Sequence, residues 1–209
     1  MNYLDGYLDT TNALQLNDFV KSEPKVGIGR DNITRTAEDS LLYRVDMNRL
    51  EGVELRIIAK SLYQENDIAQ SIVHLGGETK LIQLDPIGSN TKLKIDKPNL
   101  NKDSFKIYLS TPAFFTKLGW QPDLSRFNIN ARLVAACVGK PLHIGGYDML
   151  NNRPKPMLKA VPAGSVYYYE SDESPEKILS QLHGQSISDF LPEQGYGIAF
   201  IGNVKLPKK

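Results

Sequence analysis

Apolar and polar residues alternate one for one along several stretches of this chain, and that period of two commits much of it to β-structure. Tyr43, Val45 and Met47 fall on one side, with Arg44, Asp46 and Asn48 on the other. After Glu51-Gly52 the rhythm resumes, with Val53, Leu55 and Ile57 set against Glu54 and Arg56. Side chains on a strand repeat every two residues, so these two runs predict a β-hairpin with one buried face. Further strands are expected at residues 91–96 and 105–110, and apolar runs at 133–138, 165–169 and 198–206 add to them.

Helical signals are few. The clearest covers residues 174–183: Ser174 can cap it, Pro175 suits the first helical position, and Glu176 complements the positive helix start. Ile178, Leu179 and Leu182 form its apolar stripe, His183 stands in the last turn where a cation favours the dipole, and Gly184 can end it. A shorter helix is expected over residues 12–20. Glycine and proline mark turns at Gly76-Gly77, Asp85-Pro86-Ile87-Gly88, Gly145-Gly146, Pro154 to Pro156, and Pro162-Ala163-Gly164. The expected fold is therefore a β-rich α+β module, an antiparallel sheet with few helices. The order of strands, helix and final strand fits the second half of a ferredoxin-like unit.

Composition sets the limits on function. At 209 residues and 41% apolar, the chain can bury a substantial core. Its 25 Lys+Arg nearly balance 24 Asp+Glu, which argues against a free-standing nucleic-acid binder and restricts any RNA contact to a local patch or a shared surface. The single cysteine, Cys137, excludes an internal disulfide and any multi-cysteine zinc site, and its apolar surroundings predict a small core residue. No apolar run is long enough to span a membrane, and no basic stretch followed by an apolar one heads the chain, so the cytoplasm is the expected location.

No arrangement of nucleophile, base and orienting group is visible. His74, His143 and His183 lack a spaced partner of the H-x-x-H kind, and there is no phosphate-binding loop or nucleophile elbow. No catalytic residue, metal or cofactor is expected. Three segments have other chemistry. In residues 25–36, Gly27 and Gly29 let the backbone approach a ligand, Lys25, Arg30 and Arg35 offer cations, and Thr34 and Thr36 offer hydroxyls. Spacing alone equally allows an ordinary solvated loop. Tyr167, Tyr168 and Tyr169 sit on a strand that faces both ways, so one ring should point outward, toward a base or a partner. Gly195-Tyr196-Gly197 is a glycine-rich turn whose amides can cradle a phosphate, or simply a tight turn.

Taken in order, these segments resemble a known family. Glu23-Pro24-Lys25-Val26-Gly27-Ile28-Gly29-Arg30 precedes Leu42-Tyr43, then Leu75-Gly76-Gly77-Glu78, then Ala160-Val161-Pro162-Ala163-Gly164-Ser165-Val166-Tyr167, then Gln194-Gly195-Tyr196-Gly197. Thr111-Pro112-Ala113, Gly119-Trp120-Gln121-Pro122-Asp123 and Gly139-Lys140-Pro141 lie between. The set is similar to the third subunit of the Cmr complex, the type III-B CRISPR effector, a member of the RAMP superfamily related to the Cas-five group. The resemblance covers about residue 20 to the end. It implies ferredoxin-like modules, a glycine-rich loop at Gly195, Tyr196, Gly197 and Gly202, and a role without catalysis. The implied partners are the 5′ handle of the guide RNA, the large polymerase-like subunit and a backbone RAMP subunit, with no membrane. It places the candidate RNA contacts at Lys25, Gly27, Gly29, Arg30, Thr34, Arg35, Gly195, Tyr196 and Gly197. Family members are longer on the N-terminal side, so a leading module is expected to be absent. Residues 1–22 are then a remnant or linker, and 23–209 the middle and C-terminal part. The alternative is a RAMP-type endoribonuclease that processes CRISPR transcripts, with His74 or His143 as general base.

Overall fold

The computed structural model describes residues 3–5, 11, 14–31, 33–34, 36–57, 70–74, 81–85, 95–101 and 103–204. The chain divides into two compact units, residues 11–93 and residues 1–10 with 94–209. The boundary expected after residue 22 falls inside the first strand of the former.

The 11–93 unit opens with a single helical turn, α1 (Leu16–Phe19), which runs straight into β1 (Val20–Arg30). β1 pairs antiparallel with β2 (Ala37–Leu50), from Val20↔Leu50 to Ile28↔Leu42, and the register shifts before Arg30↔Ala37. The partner of residues 43–47 is therefore residues 23–27, not 53–57. Past Leu50 the chain leaves the ladder, with Gly52 in the left-handed region, and 53–57 is irregular. Pro24, Gly27 and Gly29 disguise β1 as a loop in the sequence. A two-stranded ribbon has two open edges, however, and a strand proline is tolerated where its missing N–H faces outward. Of the helix expected over 12–20, residues 12 and 13 lie outside the described residues, Gln15 is extended, Leu16–Phe19 is helical, and Val20 already belongs to the strand. A second ribbon joins β3 (Ser71–His74) to β4 (Leu81–Leu84). The strand expected at 91–96 and the turns at Gly76-Gly77 and 86–88 lie outside the described residues, apart from Ile95 and Asp96, which are irregular.

The other unit is built on β5 (Asp103–Leu109), β6 (Arg132–Cys137), β11 (Val166–Ser171), α2 (Pro175–Leu182) and β13 (Ile198–Gly202). The excursion from β6 to β11 carries four short strands, β7 (Leu142–Ile144), β8 (Tyr147–Asp148), β9 (Arg153–Pro154) and β10 (Leu158–Ala160). The short β12 (Gln185–Ser186) flanks β13. The sheet order is β12-β13-β5-β11-β6, all antiparallel. Numbered by chain order, the four principal strands lie 4-1-3-2. That is the split β-α-β arrangement of a ferredoxin-like module, with its first crossover helix reduced to a 3₁₀ turn at Leu124–Phe127.

One face of this sheet is the core. Phe105, Ile107 and Leu109 of β5, Tyr167 and Tyr169 of β11, and Ala199 and Ile201 of β13 pack beneath Ile178 and Leu182 of α2. The helix forms as the sequence predicts. The Ser174 hydroxyl accepts the Lys177 amide at 3.3 Å, Pro175 starts the first turn, and Gly184 follows with φ +71°. Tyr168 points away from the core and is only partly covered, as the alternation requires. On that second face, the Asn203 amide donates to the Leu4 carbonyl at 2.6 Å, and Lys106 reaches the Tyr3 carbonyl with its ammonium over the Tyr3 ring.

Two expectations are corrected here. Cys137 is exposed, because β6 is the outer strand of the sheet and only Leu133 of its apolar run packs against the core. His183 caps the C-terminus of α2, but it is 8% exposed: its Nδ1 accepts the Ile201 amide at 3.2 Å and its ring meets Phe200 edge-on. Burial disfavours the imidazolium, and the nearby charge of Lys97 adds to this, so the pKa falls below the ordinary 6.5. The fold therefore favours neutral His183. That contribution is fully present above about pH 6.5 and is lost as pH falls from there through the folded-state value. Denaturant unfolding followed by the fluorescence of Trp120, the sole tryptophan, should give lower stability at pH 5 than at pH 7.5. His183→Gln should flatten that dependence, and an equal slope in both proteins would refute it.

Candidate nucleic-acid interface

The candidate residues fall in two places, one in each unit. Lys25, Gly27 and Gly29 lie on β1, Arg30 ends it, and Thr34 sits in the connection to β2, while Arg35 lies outside the described residues. Gly27 stands opposite Tyr43, and a Cβ there would fall within 2.3–2.7 Å of the Tyr43 ring. The glycine thus makes room for a tyrosine laid across the ribbon, which is a packing role.

The connection is organised by Asp31. Its Oδ1 accepts the Ile33 amide at 2.9 Å, the Thr34 amide at 2.6 Å and the Thr34 hydroxyl at 2.9 Å. The Thr34 and Thr36 hydroxyls share a hydrogen at 2.8 Å, and the Asp31 amide donates to the Thr36 carbonyl. The Thr34 hydrogen bonds hold the Asp31 carboxyl below its usual range, so it stays charged at neutral pH. A self-satisfied turn built on a carboxylate is a poorer phosphate cradle than the sequence alone implied. Its cations remain the feature suited to an anion.

In the other unit, Gly195 and Gly197 both adopt positive φ, +83° and +76°, around Tyr196. Their amides are engaged internally: Gly195 donates to the Pro192 carbonyl at 3.0 Å, and Gly197 to the Pro112 carbonyl at 2.7 Å. Thr111 ties the turn to the end of β5, its hydroxyl donating to the Gly195 carbonyl at 2.7 Å and accepting the Ile198 amide at 2.8 Å. The Tyr196 ring lies 4.9 Å from that of Phe114. The turn therefore lacks the free Gly195 and Gly197 amides that phosphate cradling requires, and Tyr196 is partly covered.

His74 ends β3, and His143 stands on β7 opposite Lys159 of β10. Both are exposed, and neither imidazole forms a hydrogen bond among the described residues. Among those residues no group of three or more His, Cys, Asp or Glu can hold a metal ion, and no helix is long and apolar enough to cross a membrane. Sequence reasoning passed over Lys140, Arg153, Lys155 and Lys159. They sit among glycines and prolines that read as turn punctuation, yet a running charge count over residues 138–160 picks them out.

The sheet order and crossovers place the 94–209 unit in the class of ferredoxin-like α+β modules. The chain belongs to the family described as CRISPR-associated protein (Cas_Cmr3), whose model matches residues 1–204. Among solved structures it is similar to a chain of the type III-B Cmr-β complex bound to cognate target RNA, seen by cryo-electron microscopy. The identity there is 22%, covering 73% of this chain and 46% of that one, with a TM-score of 0.45. The same complex with cognate target RNA and AMPPnP, in state 1, gives 21% identity over 73% and 47%, with a TM-score of 0.43. This chain spans a little under half the length of the chains it matches. No curated protein matches it.

The two glycines of the C-terminal turn separate by experiment. A Cβ on Gly197 would lie 2.5 Å from the Ser188 amide nitrogen, whereas at Gly195 it meets nothing within 4 Å. Gly195→Ala should cost about 1 kcal/mol for its left-handed backbone, and Gly197→Ala at least ~2 kcal/mol because the clash adds to it. Equal losses in denaturant titrations would show that the contact with Ser188 is not what restricts residue 197.

Proposed function

We propose that this chain serves as a non-catalytic, RNA-contacting subunit of a type III-B CRISPR effector ribonucleoprotein. In this reading it binds the 5′ handle of the guide RNA and docks on the large polymerase-like subunit beside a backbone RAMP subunit. The observation that carries the proposal is the family match over residues 1–204. The ferredoxin-like sheet and the charge balance support it. A chain of 25 Lys+Arg against 24 Asp+Glu suits a protein that shares its RNA with neighbours. Arg30 and Arg35, with Lys25, supply phosphate contacts in the 11–93 unit, and Tyr196 supplies surface in the other. No observation favours His74 or His143 as a ribonuclease base over this reading.

The test is reconstitution with the other subunits and guide RNA. Photocrosslinking should give adducts between the guide and this chain; a complex that assembles and crosslinks elsewhere only would leave it a purely architectural part. In the same complex, Arg30→Ala and Arg35→Ala should each weaken guide binding. Each should also lower the dependence of log K on log salt by about 0.7, the value for one single-stranded phosphate contact. An unchanged slope for both removes these arginines from the site. Incubation of the purified chain with repeat RNA should leave the RNA intact.

A further inference from the structure

The sheet of the 94–209 unit is completed by residues from the opposite end of the chain. On the face away from α2, Tyr3, Leu4 and Asp5 lie against β5 and β13, although the 11–93 unit separates them from those strands in sequence. Leu4 is 3% exposed. Its carbonyl accepts the Asn203 amide at 2.6 Å, just past the end of β13. Gly202 makes this seat possible, since a Cβ there would lie 2.6 Å from the Leu4 carbonyl oxygen and 2.9 Å from the Leu4 Cα. Gly202 does not adopt positive φ, so the position demands space and not backbone freedom.

Two side chains fasten the segment. Lys106 rises from the middle of β5 and is buried, and the segment supplies the groups around its ammonium. The ammonium donates to the Tyr3 carbonyl and lies 3.7 Å from the centre of the Tyr3 ring. Burial lowers its pKa, and the charge of Asp5 works against that. The Tyr3 ring in turn meets Tyr108 edge-on, with centroids 5.8 Å apart. The second fastening is Asn203, also buried. Beside its amide bond to Leu4, its Oδ1 accepts the Asn101 amide at 2.7 Å and its side-chain nitrogen donates to the Asn99 carbonyl at 2.8 Å. One residue thus holds the chain both before it departs for the 11–93 unit and after it returns.

We infer that residues 3–5 form a strap that closes this face of the sheet and opens as a unit while the sheet beneath stays folded, with Lys106 and Asn203 as its two catches. The strands under it are interlocked by their ladders and by the core below α2. The strap is instead a short piece near the chain terminus, held by a lysine side chain and the Asn203 amide. Segments fastened in this way open locally, at a smaller free energy than global unfolding. Opening bares Lys106 together with two neighbours on its face: Tyr108, two residues along β5, and Tyr168, its partner on β11. The seated strap withholds that cation and its tyrosines from any partner. The inference goes beyond the proposed function and holds whether or not the chain contacts RNA.

The test is amide hydrogen exchange on the full chain under native conditions, read residue by residue by NMR. The Asn203 amide, bound to Leu4, reports the strap. The Ile201 amide, bound to His183 Nδ1, and the Leu109 amide, bound to the Ser165 carbonyl, report the sheet. In the wild-type chain Asn203 should exchange at least tenfold faster than either sheet amide. Tyr3→Ala and Lys106→Met should each speed Asn203 by about a further tenfold and leave Ile201 and Leu109 unchanged. Gly202→Ala should do the same by pushing Leu4 off its seat. Should Lys106→Met or Gly202→Ala fail to fold, Tyr3→Ala, a change at a half-buried residue outside the strands, still decides the matter. Exchange of all three amides at one rate, moving together in the variants, would make residues 3–5 an integral part of the sheet and overturn the inference. An Asn203 rate that no variant alters would overturn it too, because these contacts would then not hold the strap.

Discussion

The packing of β5 between β11 and β13 supports everything described in the 94–209 unit. Ile107 and Leu109 are wholly buried, and so is Tyr167, which pairs with Ile107 from the neighbouring strand. Burying side chains of this size stabilises each by roughly 1.5–3 kcal/mol. They can be buried together only if the strands alternate in phase with α2 above them. A one-residue slip of β5 would turn Lys106 and Tyr108 into the core. The Thr111 hydroxyl bridges the Gly195 carbonyl and the Ile198 amide, so the same registry positions the glycine-rich turn at the sheet end.

What could be read from the sequence follows from which forces were local. The strands at 103–109, 132–137, 166–171 and 198–202 and the helix at 175–182 declare themselves through period and capping, and the structure keeps them. The failures are non-local. Which strand pairs with residues 43–47 depends on a partner whose Pro24 and two glycines look like loop. Whether Cys137 is covered depends on β6 lying at the outer edge, which no local pattern reveals. His183 was placed correctly at the helix end, but its charge preference depended on Phe200 and Ile201, distant in sequence.

The candidate site shows the same division. Glycine and threonine signalled backbone close to a ligand, and the backbone is indeed close-packed, but against Tyr43, Asp31 and Ser188. A donor count in sequence cannot show that donors are already engaged. Net charge near zero hid a different fact, that positive charge gathers in residues 138–160 while acids concentrate elsewhere, as at Asp172, Glu173 and Glu176 near the start of α2. The cluster of cations was therefore legible as charge, but not as a surface.

The excursion from β6 to β11 also has a topological property. β6 and β11 are antiparallel sheet neighbours that a tight turn could connect, and of the 28 residues that loop out between Cys137 and Val166 only Ala160, Val161 and Ser165, at the root, are buried. Length, charge and tip chemistry in that excursion can vary while the sheet stays as it is. The module thus separates what must be kept, the interlocked strands, from what is free to be tuned to whatever lies opposite, and a change of partner would leave its mark there first.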